Sequence, residues 1–251
     1  MGNSPNRLIQ FHRFAVADDR CAMKVGTDAL ILGAWAGRRW SPDAPLRVLE
    51  IGAGSGIVTL MLAQRFPQAV FTALEIDPAA AAQAAENAAN SPFASRIQVV
   101  HADFLPWAAA ASLSWDWVVS NPPYFRNKPK SVHPARNWAR HDDTLPLERW
   151  LPAAAALLSE GGVVSAVWPT DRWPEWKAQS RQCHLHTFSQ LTVHGSPQHE
   201  ALRMVIELSK VPAPSAEEVL FIDQAPIDST GGVAVRTDAY KALMSPFLMR
   251  I

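Results

Sequence analysis

The chain has 251 residues, with 23 basic and 23 acidic side chains and a formal net charge of zero. That length fits one large domain with at most an appendage, and 48% hydrophobic against 18% charged residues excludes wholesale disorder. A neutral chain does not grip nucleic acid over its whole surface, so any such partner has to meet a local basic patch.

The two cysteines, Cys21 and Cys183, lie far apart without CxxC spacing. They argue against a disulfide framework and a zinc site, and read as reduced thiols of a cytoplasmic protein. The start, Met1-Gly2-Asn3-Ser4-Pro5-Asn6, has no apolar h-region and no Ser/Thr at its sixth position, so neither a signal peptide nor myristoylation is expected. No apolar run approaches the roughly 18 residues of a membrane span.

In chain order, residues 8–16 alternate loosely and carry Phe11 and Phe14, which suits a short hairpin. Residues 27–40 place Leu30, Ile31, Ala34 and Trp35 at helical spacing, with Asp28 in the first turn. A loop at 41–45 ends this leader. From Leu46, strands and helices alternate. Strands are predicted over 46–51, 69–76, 96–102, 115–120 and 163–168. Helices are predicted over 57–66, from Asp77-Pro78 to about Asn90, over 145–158 with Gly161-Gly162 as its C-terminal cap, and over 171–182. Two closing strands follow at 184–193 and 202–208, then a tail with a strand at 219–222 and a helix at 237–248. This pattern predicts a doubly wound, mostly parallel, seven-stranded Rossmann-like α/β sheet. Residues 1–45 would be an N-terminal extension packed on a catalytic domain of residues 46–251.

Ligands of such sheets sit at the carboxyl ends of strands. Three marked sequences fall there. Gly52-Ala53-Gly54-Ser55-Gly56 follows the first strand, and its glycines permit positive φ and close approach of a ligand. Alone it is weak evidence; it matches neither the GxGxxG nor the GxxxxGK[ST] spacing. Glu75 ends the second strand, about 20 residues on, where an acid accepts ribose hydroxyls. Glu50 before the glycines and Ile76 after Glu75 are counted with the same site. Asp103 follows the third strand, where it either accepts an adenine amino group with Phe104 beside the ring or caps a turn. In order, these residues read as a nucleoside site without a pyrophosphate clamp, which suits S-adenosylmethionine better than NAD.

Ser120-Asn121-Pro122-Pro123-Tyr124 ends the fourth strand, which two prolines cannot continue. The Asn121 side-chain oxygen and the Pro122 carbonyl can each accept one N–H of an exocyclic amino group. That turns its lone pair toward a methyl donor, and Tyr124 offers a face for a base to stack on. Here the chain resembles the Asn-Pro-Pro-Tyr class of S-adenosylmethionine-dependent amino-methyltransferases. Phe14, the run from Asp19 to Asp28, Leu32-Gly33-Ala34-Trp35, Ile51 to Gly56, Met61 to Arg65 and Tyr240-Lys241-Ala242-Leu243 extend the match. They resemble one bacterial family, the tRNA-valine adenine-N6 methyltransferases, which modify the adenosine 3′ of the anticodon. The resemblance implies a methyltransferase fold and transfer to adenine N6 in the anticodon stem-loop of a tRNA. It places Lys24 through Asp28, with Thr27 among them, by the methionine part of the cofactor, and is weakest over 170–235.

Residues 117–141 hold no acidic residue, but they hold Arg126, Lys128, Lys130, Arg136 and Arg140, with Trp138 among them. Such a loop beside the pocket suits a phosphate backbone, while the ordinary fate of such a run is a solvated surface. Trp35, Trp117 and Trp168 are expected in the core. No metal, membrane or obligate protein partner is expected. Rival readings are a release-factor glutamine methyltransferase, for which 45 leading residues are too few, a ribosomal-RNA guanine-N2 enzyme, and an RNA-binding protein on a degenerate methyltransferase fold.

Overall fold

The computed structural model describes residues 8–122, 145–225 and 234–249. The leader begins as a hairpin, β1 (Leu8–Gln10) antiparallel to β2 (Ala15–Ala17), closed by Phe11 stacked on Phe14 with ring centroids 4.6 Å apart. Helix α1 (Thr27–Trp35) stops short of the predicted 40. Its next residue, Ala36, is extended, and the Gly37 N–H is drawn off to the Glu207 carboxylate at 2.8 Å.

The alternation then runs β3 (Arg47–Ile51), α2 (Ile57–Arg65), β4 (Val70–Glu75), α3 (Pro78–Ala89), β5 (Ile97–His101), α4 (Phe104–Ala110) and β6 (Trp115–Ser120). Asp77 starts α3 as expected: its Oδ1 accepts the Ala80 N–H at 2.8 Å, with Pro78 in the first helical position. Helix α4 was not anticipated; seven residues containing Pro106 show no periodicity. After the 123–144 stretch come α5 (Leu147–Leu157), β7 (Leu158–Pro169), α6 (Trp173–Gln182), β8 (His186–His194), β9 (Ala201–Ser209), β10 (Ala216–Phe221) and α7 (Asp238–Met244).

Gly161-Gly162 is not a helix cap. It lies inside β7, where Trp115 pairs with Leu158 but Trp117 pairs with Val163, so β7 bulges past Asp116. Ser159 donates to Asp116 Oδ1 at 3.0 Å across the bulge. A Cβ on Gly162 would stand 3.0 Å from the Leu158 side chain and the Ser159 carbonyl, which is why a glycine sits at that position.

The sheet has eight strands among the described residues rather than the seven expected, in the order β10-β8-β9-β7-β6-β3-β4-β5. The tail strand, β10, joins it parallel to β8; β9 is antiparallel to both neighbours, and the remaining pairs are parallel. Alternating residues serve the two faces. Val48, Trp117 and Val163 join the cluster under α1 and α2, while Leu49, Val118 and Val164 join the cluster with α5 residues Trp150 and Leu151. Trp35, Trp117 and Trp168 are all buried. Chain order reverses between β3 and β6, so their carboxyl ends flank a switch-point crevice. Among the described residues no helix is long and apolar enough to cross a membrane.

Candidate functional site

The loop after β3 is shaped by backbone groups that have lost their ladder. Gly52 and Ala53 both donate to the Leu74 carbonyl at 2.9 Å, and Gly56 donates to Ala53 at 2.8 Å. Gly52, Gly54 and Gly56 have φ of 74°, 56° and 79°, the left-handed region that side chains resist. A Cβ on Gly52 or Gly54 would meet nothing within 4 Å, so the space above both is open. A Cβ on Gly56 would instead face back, 3.4 Å from the Ala84 side chain.

Glu75 braces this loop. Its Oε2 accepts the Gly54 N–H at 2.7 Å and its Oε1 accepts the Asp77 N–H at 2.9 Å. Burial pushes its carboxyl above the usual range, and those two N–H groups pull it back. Each oxygen keeps a lone pair for a further donor. Below the loop, Glu50 is buried. Its Oε2 accepts the Thr59 backbone N–H at 2.9 Å and the Thr59 hydroxyl as well. Desolvation pushes this carboxyl up to about 8, against the pull of both Thr59 bonds.

Beside the loop stands the end of β6. The Ser120 hydroxyl donates to the Ile51 carbonyl at 2.9 Å, tying β6 to β3 at the point where Asn121 emerges. Asn121 Oδ1 is buried and accepts no hydrogen bond among the described residues. Pro122 is buried behind it. An unsatisfied buried acceptor is costly, and its direction asks for a donor.

These pieces meet in a cleft of about 410 Å³, counting its open mouth, lined by Met23, Lys24, Val25, Ala29, Glu50, Gly52–Ser55, Ile57, Val58 and Asn121. Of the anticipated cofactor residues it gathers Lys24, Glu50, Gly52, Gly54 and Asn121. Lys24 spends its ammonium within its own loop, donating to the carbonyls of Asp18, Asp19 and Cys21 at 2.6, 3.1 and 3.2 Å. Thr27 and Asp28 open α1, between the cleft residues Val25 and Ala29, and Asp28 Oδ2 accepts from Arg203 Nε at 3.2 Å.

Glu75 reaches the cleft through Gly54, and Ile76 beside it is 40% exposed although apolar. Asp103 caps α4 by accepting the Leu105 N–H at 3.1 Å, which leaves Oδ2 outside that bond. Phe104 departs from expectation: it is 5% exposed, within the apolar cluster of Leu49, Ile51 and Leu74, rather than an open face beside a ring. Tyr124, Arg126, Lys128, Lys130, Arg136, Trp138 and Arg140 lie outside the described residues. Val25, within the anticipated stretch Lys24 to Asp28, lines the cleft, and sequence reasoning missed only its neighbour Met23 there. It also missed Gln83 and Asn87, whose polar spacing on an alanine helix was the available clue. Among the described residues no group of three or more His, Cys, Asp or Glu could hold a metal.

A switch-point crevice pairing a glycine loop with an Asn-Pro strand end defines a methyltransferase: residues 41–171 match the family model described as Methyltransferase small domain. A predicted O-methyltransferase of Agrobacterium tumefaciens shares the fold with TM-score 0.64 at 21% identity, over 88% of this chain and 96% of its own. The tRNA1(Val) (adenine(37)-N6)-methyltransferase of Bacteroides thetaiotaomicron is 45% identical over 202 residues, 80% of this chain and 83% of that protein. The Porphyromonas gingivalis protein of the same name is 38% identical over 229 residues, 90% and 87% of the two chains. The chain belongs to the tRNA1(Val) (adenine(37)-N6)-methyltransferase family.

Proposed function

We infer that the chain methylates N6 of an adenine in tRNA, taking the methyl group from S-adenosylmethionine. The observation that carries this reading is Asn121 Oδ1, a buried acceptor without a donor among the described residues, beside a glycine loop with open space above it. The residues fit the cofactor: bare Gly52 and Gly54 admit close approach, and Glu75 has lone pairs left for ribose hydroxyls. Bound there, S-adenosylmethionine supplies an electrophilic methyl carbon on a positively charged sulfur.

The protein's part is orientation. Asn121 Oδ1 and the Pro122 carbonyl accept the two N–H groups of the adenine amino nitrogen. This keeps its lone pair out of the ring plane and aims it along the line of attack. As the new N–C bond forms, the nitrogen turns positive, and both acceptors strengthen with that charge. The proton then lost from the nitrogen already points at an acceptor, so no strong base is needed. Tyr124 would stack on the adenine. Arg126, Lys128, Lys130, Arg136 and Arg140 would meet the phosphates of the anticodon stem-loop, with Trp138 offering a second stacking face. A single-stranded loop adenine costs least to present. The setting is the cytoplasm, where tRNA is.

Incubating the purified protein with S-adenosylmethionine and tRNA from cells lacking the activity should give N6-methyladenosine 3′ of the anticodon, read by nucleoside mass spectrometry. Finding N2-methylguanosine, or methylation only of a glutamine in an added release factor, would overturn the reading.

A further inference from the structure

Helix α3 is nearly all alanine: after Pro78, its only longer side chains are Gln83, Glu86 and Asn87. At spacings of three and four they share one face, and all three hold the leader. Asn87 Oδ1 accepts the Ala17 N–H at 3.0 Å, and its Nδ2 donates to the Ala17 carbonyl at 2.8 Å. The second hydrogen of Nδ2 goes to the Ser55 carbonyl, in the glycine loop, at 2.9 Å. Gln83 Oε1 accepts from the Arg20 N–H at 2.9 Å and from Cys21 Sγ at 3.3 Å, and its Nε2 donates to Asp19 Oδ1 at 2.6 Å. Both amides are buried, 1% and 5% exposed, while the Arg20–Glu86 ion pair sits outside them at the surface.

Residues 17–25 held this way form a strap over the cleft. Asp18 Oδ2 accepts the Val25 N–H at 2.8 Å and closes the strap on itself, with the Lys24 ammonium across its inner carbonyls. Its far end, Met23, Lys24 and Val25, is one wall of the cleft; Ser55 belongs to the opposite wall. Asn87 therefore ties the near end of the strap, at Ala17, to Ser55 of the glycine loop. A side-chain amide suits the position because it accepts once and donates twice without bringing a charge into a buried place.

We propose that Asn87, with Gln83 beside it, is a positioning residue that fixes the strap against the glycine loop and thereby sets the affinity of the cleft for its nucleoside cofactor. The proposal rests on the S-adenosylmethionine reading of that cleft. Without Asn87 the strap must be ordered anew at each binding event, so apparent affinity falls by the fraction of time the cleft is formed. The amino-group acceptors at Asn121 lie on another strand end and are untouched.

The test is calorimetric titration of the wild type and Asn87→Ala with S-adenosylhomocysteine, together with KM and kcat for methyl transfer. Kd and KM for the cofactor should each rise about tenfold. The kcat at saturating cofactor and the KM for tRNA should stay within about twofold of the wild type. Backbone amides of residues 17–25 should lose hydrogen-exchange protection. A variant with lower kcat and unchanged cofactor KM would mean that Asn87 merely supports folding, and would overturn the proposal. Equal Kd in both proteins would overturn it alone, whereas a wild type that binds no S-adenosylhomocysteine would overturn the methyltransferase reading with it. If Asn87→Ala does not fold, Gln83→Met keeps length and loses only the strap bonds. It should raise Kd about threefold, and an unchanged Kd there is equally fatal.

Discussion

Of the three glutamates buried in the central sheet, the two deepest, Glu50 on β3 and Glu207 on β9, are used differently. Glu207 is enclosed by donors: its Oε1 accepts the Gly37 N–H and the Ser165 hydroxyl, each at 2.8 Å. Ser165 in turn accepts the Trp117 indole N–H at 2.8 Å. Burial raises the Glu207 carboxyl, while those bonds and the charges of Arg65 and Arg39 draw it down. It braces the end of α1 to the antiparallel half of the sheet. Among the described residues both bonds of Glu50 come from one residue, Thr59, and its side chain lines the cleft. A buried acid finished by its own fold is architecture. A buried polar group left facing a cleft, as Glu50 and Asn121 are, awaits something the fold does not supply.

The sharpest way to break that contrast is on the cleft side. Asn121→Ala should cut kcat by about 10³-fold, because both ground-state orientation and transition-state charge depend on its oxygen. S-adenosylhomocysteine binding, measured by calorimetry, should stay within about threefold. Near-normal turnover would remove Asn121 from the chemistry. On the architectural side, Glu207→Ala strands the Gly37 N–H and removes the countercharge of Arg65. Urea unfolding should show a loss on the order of 3 kcal/mol, with turnover per folded molecule unchanged. A loss of turnover without a loss of stability would reverse the roles assigned here.

The remaining test is the pH dependence of Glu50. Its folded carboxyl, pushed up to about 8 from an ordinary 4.5, disfavours the charged form in the native state. Its stabilising contribution is complete below about pH 4.5 and is lost as pH rises through about 8. The stability of Glu50→Gln relative to the wild type should therefore climb by about 1.4 kcal/mol per pH unit within that window and level off above it. A flat difference across urea midpoints at pH 5, 6, 7 and 8 would mean that Glu50 titrates as an exposed acid does.

Much of this molecule is written locally and could be read in advance. The glycine loop, the Asp77-Pro78 helix start and the proline-stopped end of β6 are signals of a few residues each, and each stands at a strand or helix boundary. What escaped depends on partners distant in sequence. Gly161-Gly162 after a helical run resembles a cap, and only the pairing of β7 with Trp115 and Trp117 makes it a bulge. β10 carries exposed Ala216, Glu217 and Glu218, so no alternation declares its place in the sheet. Gln83 and Asn87 look like the solvated face of a helix until a leader more than 60 residues away is laid on them.

β10 has one further consequence. As the outermost strand beyond β8, it has one side unpaired among the described residues, the kind of template on which a second copy of a chain can build a continuous sheet. Here that border carries Glu217 and Glu218. Glu218 is anchored by Arg38 at 2.9 Å and by the Trp35 indole at 3.3 Å. An approaching strand of the same sequence would bring its own two carboxylates against these, and like charge at that spacing repels. A copy of the chain that added its own strand here would have to overcome that repulsion at Glu217, the one of the two carboxylates without the Arg38 pairing.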